Sequence, residues 1–347
     1  MKAAILDRTN EPLKLTQVPE PQPKGPEVVV KVLSSGLCHT DLHLWEGHYG
    51  PLKIEERGVK LPLIMGHEVA GSVATIGTDV QERSHVEVGD KVIVYPWIGD
   101  GTCKTCISGN EHLCNSVKPL GILTDGGFAE YLKVPHYRYL MKIGNLSPDS
   151  AAPLACAGIT AYSAIKKAGV SPGDFLVVLG IGGLGHFAVQ LAHRLYGPTI
   201  IAVDTRNEAL TLAKRAGATH TINASQQDYV EEILKITNGA GADAVIDFVN
   251  ITSTSFNAFR SLRRGGRLVL VGLSGDYSKF ILPLVAMRGI TIFGSYVGNL
   301  SDLMELIPLL RTGTIEPAIT AMPLEKVNEA MHSLRANEII GRTVLNP

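Results

Sequence analysis

Asp174-Phe175-Leu176-Val177-Val178-Leu179-Gly180-Ile181-Gly182-Gly183-Leu184-Gly185 is the stretch around which the rest of this 347-residue chain arranges itself. Phe175 to Leu179 is a short, unbroken apolar run, the pattern of a parallel strand covered on both faces. The next six residues fit G-x-G-x-x-G. Leu184, Phe187, Ala188, Leu191, Ala192 and Leu195 then recur along one stripe of a helix. A second apolar run, Ile200 to Val203, ends in Asp204, 19 residues beyond Gly185. Glycines between strand and helix permit a tight turn, close approach of the backbone to a pyrophosphate, and packing of helix on strand. The helix N-terminus offers its free N–H groups to the phosphates. Asp204 stands where an acid accepts hydrogen bonds from an adenosine ribose. Gly180, Gly182, Gly183, Leu184, Gly185 and Asp204 are therefore candidate dinucleotide contacts; a glycine-rich turn of some other α/β fold is the alternative. Asp204 favours NAD over its 2′-phosphorylated form, with Arg206 as a competing influence, because a nearby arginine can hold that phosphate.

The length suggests about two domains and permits sizeable cores. Lys+Arg number 32 and Asp+Glu 33, so the chain carries no basic footprint for nucleic acid. No apolar run approaches the roughly 20 residues of a membrane span. The start, Met1-Lys2-Ala3-Ala4-Ile5, meets Asp7, Arg8, Asn10 and Glu11 too soon for a signal peptide. The expectation is a soluble cytoplasmic protein. The five cysteines, Cys38, Cys103, Cys106, Cys114 and Cys156, are an odd number in such a chain. That argues against a disulfide scaffold, and the crowding of three of them points to metal.

The first 150 or so residues carry short strands punctuated by Gly and Pro: Val28 to Val32, Val69 to Ile76, Lys91 to Val94 and Phe128 to Val134. They predict a twisted, partly closed β domain, with residues 48–60 as a surface loop. From about residue 154 strands and helices alternate. Six strands are expected, at 175–179, 200–203, 220–222, 244–248, 268–271 and 290–293, with helices near 207–216, 228–237 and 253–262. Six such strands, with the glycine fingerprint on the first, predict a doubly wound parallel sheet of the Rossmann type. Helices near 303–310 and 324–335 and a short strand at 343–345 close the chain and return to the first domain. The expected division is 1–153, 154–292 and 293–347.

Cys38, His67 and Cys156 together would form a Cys₂His set, the three-ligand pattern of a catalytic zinc with one open position. Their separation in sequence leaves the bland readings open, a buried cysteine as a small hydrophobe and a histidine as a satisfied polar group. Cys103-x₂-Cys106 is a common half-site for structural zinc, and Cys114 follows within reach.

Gly66-His67-Glu68-x-x-Gly71-x₅-Gly77 resembles the zinc signature of the medium-chain zinc alcohol dehydrogenases. Gly36-Leu37-Cys38-His39-Thr40-Asp41 and Ala151-Ala152-Pro153-Leu154-Ala155-Cys156-Ala157-Gly158 resemble the same family and stand in its order around the fingerprint. The resemblance covers essentially the whole chain and leans towards the archaeal thermophilic, NAD-dependent branch. It implies a mainly β, GroES-like catalytic domain, discontinuous in sequence, beside the Rossmann domain. It also implies a catalytic zinc on Cys38, His67 and Cys156; that ligand set is the established one of alcohol dehydrogenases and is carried over rather than deduced. Glu68 would lie beside the zinc, or bind it when the open position is not filled by water or substrate. Asp41 would orient the His67 ring, Thr40 would contact the alcohol, and His43 would pass its proton to solvent. Arg342 resembles the position that reaches the cofactor pyrophosphate. A second, structural zinc would sit on Asp100, Cys103, Cys106 and Cys114; many members have cysteine at the first position, and an aspartate oxygen is also acceptable to zinc. The implied activity is NAD-dependent interconversion of primary or secondary alcohols with aldehydes or ketones by a homotetramer, with no nucleic acid or membrane partner. A zinc-dependent polyol, sugar or threonine dehydrogenase is the alternative within the superfamily. A non-catalytic protein of the same fold would be expected to lack a catalytic ligand.

Overall fold

Phe175–Leu179 is an inner strand of a six-stranded parallel sheet in the computed structural model, which describes residues 1–80 and 85–347. The sheet runs in the order His220–Asn223, Thr199–Asp204, Phe175–Leu179, Ala242–Asp247, Leu262–Leu270, Thr291–Gly294. It belongs to a compact unit, Thr160–Gly298. Successive side chains of a strand point to opposite faces, and both faces here are covered. Val177 and Leu179 join a core with Tyr229, Val230, Ile233, Ala258 and Phe259. Leu176 and Val178 are equally buried, as are Phe187, Ala188 and Leu191 of the helix Gly185–Leu195. The helix Asn207–Ala216 stands at the expected residues and ends on Gly217 in the left-handed conformation. The strand Leu262–Leu270 begins six residues before the expected one. Arg263, Arg264, Gly265 and Gly266 fill its first half, so only its end carries an apolar signal.

The other compact unit joins Met1–Ile159 to Asn299–Pro347. Its main sheet has seven strands, in the order Leu140–Lys142, Lys91–Val94, Glu68–Ile76, Val28–Leu37, Arg342–Asn346, Ile319–Pro323, with Tyr131–Val134 also paired to Val28–Leu37. Val28–Leu37 runs five residues further than expected. Its continuation through Ser34, Ser35 and Gly36 is buried but not apolar, so it left no hydrophobic trace. Residues 48–60, read as a loop, contain a two-stranded hairpin, His48–Tyr49 with Leu52–Lys53, and a 3-10 turn, Glu55–Arg57. Elements this short show no periodicity. Among the described residues no helix is long and apolar enough to cross a membrane.

Candidate active site and metal centres

Three neighbouring strands bring the first cluster together. Gly36 pairs with Glu68, and Leu37 pairs with Thr343, so the ends of Val28–Leu37 and Arg342–Asn346 meet the start of Glu68–Ile76. Cys38 follows as N-cap of the helix His39–Glu46, and His67 precedes Glu68. Cys156 lies between the turn Ala152–Ala155 and the helix Ala157–Ala168. Ligand atoms of Cys38, His67, Glu68 and Cys156 lie within 4.8 Å of one another, and all four residues are buried. Glu68 fits only because residue 36 is glycine: a Cβ there would stand 2.0 Å from Glu68 Oε2.

Asp41 braces the cluster from the first turn of the helix. Its Oδ2 accepts the Cys38 N–H at 2.9 Å and its Oδ1 the Gly66 N–H at 3.3 Å, so one buried carboxylate fixes the backbone beside two candidate ligands. Oδ1 also lies 3.5 Å from His67 Nδ1, an ion-pair distance rather than a close hydrogen bond. His67 Nε2 and Glu68 Oε2 are buried without a hydrogen-bond partner among the described residues. Burying such atoms unpaired is costly, and a cation between them and the two sulfurs would satisfy both. The local field favours that cation. Burial lowers the imidazole pKa, yet Asp41 and Cys38 together lift it well above the usual range. Cys38 is held well below the ordinary thiol range by its hydrogen bond from Cys156 and by His67. The donor set therefore fits zinc.

Glu68 Oε1 accepts the Ala157 N–H at 3.2 Å and also meets Arg342 Nη2. Burial pushes the Glu68 carboxyl up to about 7 against the pull of Arg342. Arg342 is thus buried against Glu68, only 3% exposed; a pairing between such distant residues has no sequence signal. Thr40 and His43 share the helix that starts at Cys38, three residues apart and so on one face. His43 is half-buried, with Nδ1 shielded and unpartnered, and its ring centroid is 5.1 Å from that of Tyr49. Desolvation lowers its pKa. The Trp97 ring stands edge-on to His67 at 5.9 Å, and its Nε1 donates to the Ala155 carbonyl at 3.2 Å.

The second cluster is Asp100, Cys103, Cys106 and Cys114, again with ligand atoms within 4.8 Å of one another. Asp100 divides its oxygens: Oδ1 accepts the Thr102 and Cys103 N–H groups, both at 2.8 Å, and Oδ2 lies 3.2 Å from Cys114 Sγ. Cys103 Sγ is 3.5 Å from Cys106 Sγ and 3.8 Å from Cys114 Sγ. No disulfide joins them. Three sulfurs and one oxygen converging in this way supply four donors, the number a structural zinc takes.

In the unit Thr160–Gly298 the glycines of the fingerprint divide their roles. Gly180 has φ +86° at the end of the strand, which a side chain would resist. A Cβ at Gly185 would stand 2.1 Å from the Gly180 carbonyl, whereas one at Gly182 would meet nothing within 4 Å. Gly182 therefore presents bare backbone to open space. Gly183 and Leu184 complete the turn, Leu184 as N-cap of Gly185–Leu195. Asp204 ends the neighbouring strand; its Oδ2 accepts the Ile181 N–H at 2.7 Å and its Oδ1 the Arg206 N–H at 3.0 Å. Arg206 Nε is 3.5 Å from the same Oδ1.

Residues 24–145 match the family model of the alcohol dehydrogenase GroES-like domain, and residues 183–312 that of the zinc-binding dehydrogenases. Over their full lengths the chain is 47% identical to an NAD-dependent alcohol dehydrogenase of Sulfurisphaera tokodaii. It is 35% identical to a D-arabinose 1-dehydrogenase (NADP(+)) of Saccharolobus solfataricus, covering 100% of this chain and 97% of that one. The crystal structure of the alcohol dehydrogenase of Aeropyrum pernix superposes with a TM-score of 0.93 at 37% identity, with 100% of each chain covered.

Proposed function

The chain belongs to the zinc-containing alcohol dehydrogenase family, and we propose on that footing that it interconverts primary or secondary alcohols with aldehydes or ketones, using NAD and a zinc ion held by Cys38, His67 and Cys156. The observation that carries this is the buried meeting of those residues with Glu68, ligand atoms within 4.8 Å. Bound there, zinc would supply Lewis acidity to a substrate hydroxyl or carbonyl, and NAD would supply the hydride acceptor or, when reduced, the donor. The chain's own residues do the rest. Asp41 holds His67 and the backbone at Cys38. Thr40 contacts the alcohol, and His43, on the same helix face, passes the alcohol's proton on towards solvent. Glu68, paired with Arg342, would lie beside the metal and bind it when the open position is not filled by water or substrate. Gly180 to Gly185 cradle the pyrophosphate, Asp204 accepts from the ribose hydroxyls with Arg206 nearby, and Arg342 contributes to cofactor binding. Asp100, Cys103, Cys106 and Cys114 would hold a structural zinc.

On this reading catalysis falls to Met1–Ile159 with Asn299–Pro347, and nucleotide binding to Thr160–Gly298 apart from the contribution of Arg342. The enzyme works in the cytoplasm and, with near-neutral charge, has no nucleic-acid partner. It assembles as a homotetramer: Tyr277, Ile281, Leu282 and Met287 expose large apolar side chains close in sequence to the edge strand Thr291–Gly294, and such patches and edges mark interfaces. A sugar, polyol or threonine substrate is the alternative; the D-arabinose relative is the more distant of the two curated relatives above. A steady-state panel of primary, secondary, aromatic and polyol substrates with NAD and NADP, with zinc counted per chain, tests the proposal. Simple alcohols with NAD should give the highest kcat/KM. A polyol or sugar optimum would favour the alternative, and no NAD-dependent turnover of any alcohol would refute the function.

A further inference from the structure

Glu111 opens the short turn Glu111–Leu113 between Cys106 and Cys114. Its carboxylate is largely buried and gathers three donors on Oε2: the Gly99 N–H at 3.1 Å, the Tyr139 hydroxyl at 2.6 Å and Arg138 Nη2 at 3.1 Å. Gly99 immediately precedes Asp100, so the first of these bonds ties the arm that carries Asp100 to the turn that leads to Cys114. The arm is also tightly packed. A Cβ at Gly99 would stand 2.6 Å from Cys106 Sγ and 3.0 Å from Glu111 Cβ. Tyr139 roots the network in the main sheet. It leads directly into the strand Leu140–Lys142, its carbonyl accepts the Tyr95 N–H at 2.8 Å, and the two rings stack at 6.3 Å. The Arg138 guanidinium lies over the Tyr139 ring at 4.7 Å. A dication held by three thiolates and a carboxylate leaves the lobe formally two negative charges in excess. Glu111 adds another, and Arg138 is the cation that makes it tolerable there.

We propose that Glu111 is the positioning residue of this second metal lobe. With Arg138 and Tyr139 it fixes the Gly99–Asp100 arm against the turn bearing Cys114 and holds the four ligands in their closed arrangement. The proposal rests on the reading that Asp100, Cys103, Cys106 and Cys114 bind zinc. Partners one step beyond the ligands orient them, and their loss weakens metal binding by roughly 10- to 100-fold.

The test uses the full-length, zinc-loaded protein and follows zinc release to a chromogenic chelator. Glu111→Ala should release one zinc per chain faster than wild type by on the order of 10-fold. Glu111→Gln, whose amide oxygen still accepts from Gly99 and Tyr139, should recover most of the difference. Asn328→Ala is the reference. Asn328 bonds both the N–H and the carbonyl of Leu13, at 2.8 and 3.0 Å, elsewhere in the same unit. Its loss should lower Tm without hastening release. With cobalt in the lobe, the thiolate-to-cobalt charge-transfer band should shift in Glu111→Ala and not in Asn328→Ala. If Glu111→Ala does not fold, Arg138→Leu takes its place with the same expectation. Release from the Glu111 or Arg138 variant at the wild-type rate, or no faster than from Asn328→Ala, overturns the proposal. A wild-type chain that binds no metal at these cysteines would instead overturn the zinc reading beneath it.

Discussion

Gly36 is where one added methyl group has the plainest consequence. Its Cβ would stand 2.0 Å from Glu68 Oε2 and 2.9 Å from Glu68 Cβ, so Gly36→Ala must drive Glu68 away from Arg342 and the Ala157 N–H. Unfolding in denaturant should show a loss of about 1–3 kcal/mol, the usual cost of overpacking, with turnover falling as Glu68 leaves its place. Wild-type stability in this variant would mean that Glu68 has room to spare. Asp204 poses a question of selectivity. One oxygen already holds the Ile181 N–H, and Arg206 stands 3.5 Å from the other. Asp204→Asn keeps an acceptor but removes the charge that repels a 2′-phosphate. The ratio of kcat/KM for NAD over NADP should drop by on the order of 10-fold; an unchanged ratio would deny Asp204 that role. Asp204 was legible as a candidate from its distance to the glycines, Cys103, Cys106 and Cys114 from their spacing, and the other metal candidates mainly from family motifs. The Glu68–Arg342 pair and the Glu111 network were not, because both arise from sheet pairings or chain reversals that leave no local pattern.

At the scale of elements, the glycine turn and the metal lobe each allow a matched comparison. Gly185→Ala places a methyl 2.1 Å from the Gly180 carbonyl and should pry the helix Gly185–Leu195 from its strand, costing about 1–3 kcal/mol. Gly182→Ala meets nothing within 4 Å. It should leave Tm unchanged and weaken NAD binding, since only an incoming pyrophosphate would collide with it; calorimetric titration and thermal melts separate the two variants. The lobe of Asp100 to Cys114 should act on stability alone, because a metal bound only by the folded form adds to it. Mild chelation should therefore lower Tm before it lowers activity. Activity lost first, with Tm intact, would place the labile metal elsewhere. Elements with a two-sided apolar run or an amphipathic stripe, such as Phe175–Leu179 and Asn207–Ala216, stand where the sequence puts them. Those with polar buried stretches, such as Val28–Leu37 beyond Val32 and Leu262–Leu270 before Leu268, were cut short, because hydrophobic periodicity registers burial only where the buried side chains are apolar.

Across the whole molecule, the alternation of strand and helix predicted the doubly wound sheet, and the broken strand pattern predicted a β-rich unit. The strand-like end of the chain pointed to a return to that unit, but nothing in Thr343-Val344-Leu345 itself says that it pairs with Val28–Leu37. That pairing also brings Arg342 to Glu68, and so links the last strand of the chain to the metal cluster. All the candidate ligands of both metals lie in this unit and the glycine fingerprint in the other, so metal chemistry and nucleotide binding should be separable by mutation. The decisive measurement is NAD-dependent alcohol turnover by Cys38→Ser, set beside its zinc content and its NAD affinity. Loss of most turnover and of one zinc per chain, with NAD still bound, is the expected result; full turnover in a verified Cys38→Ser preparation would contradict it.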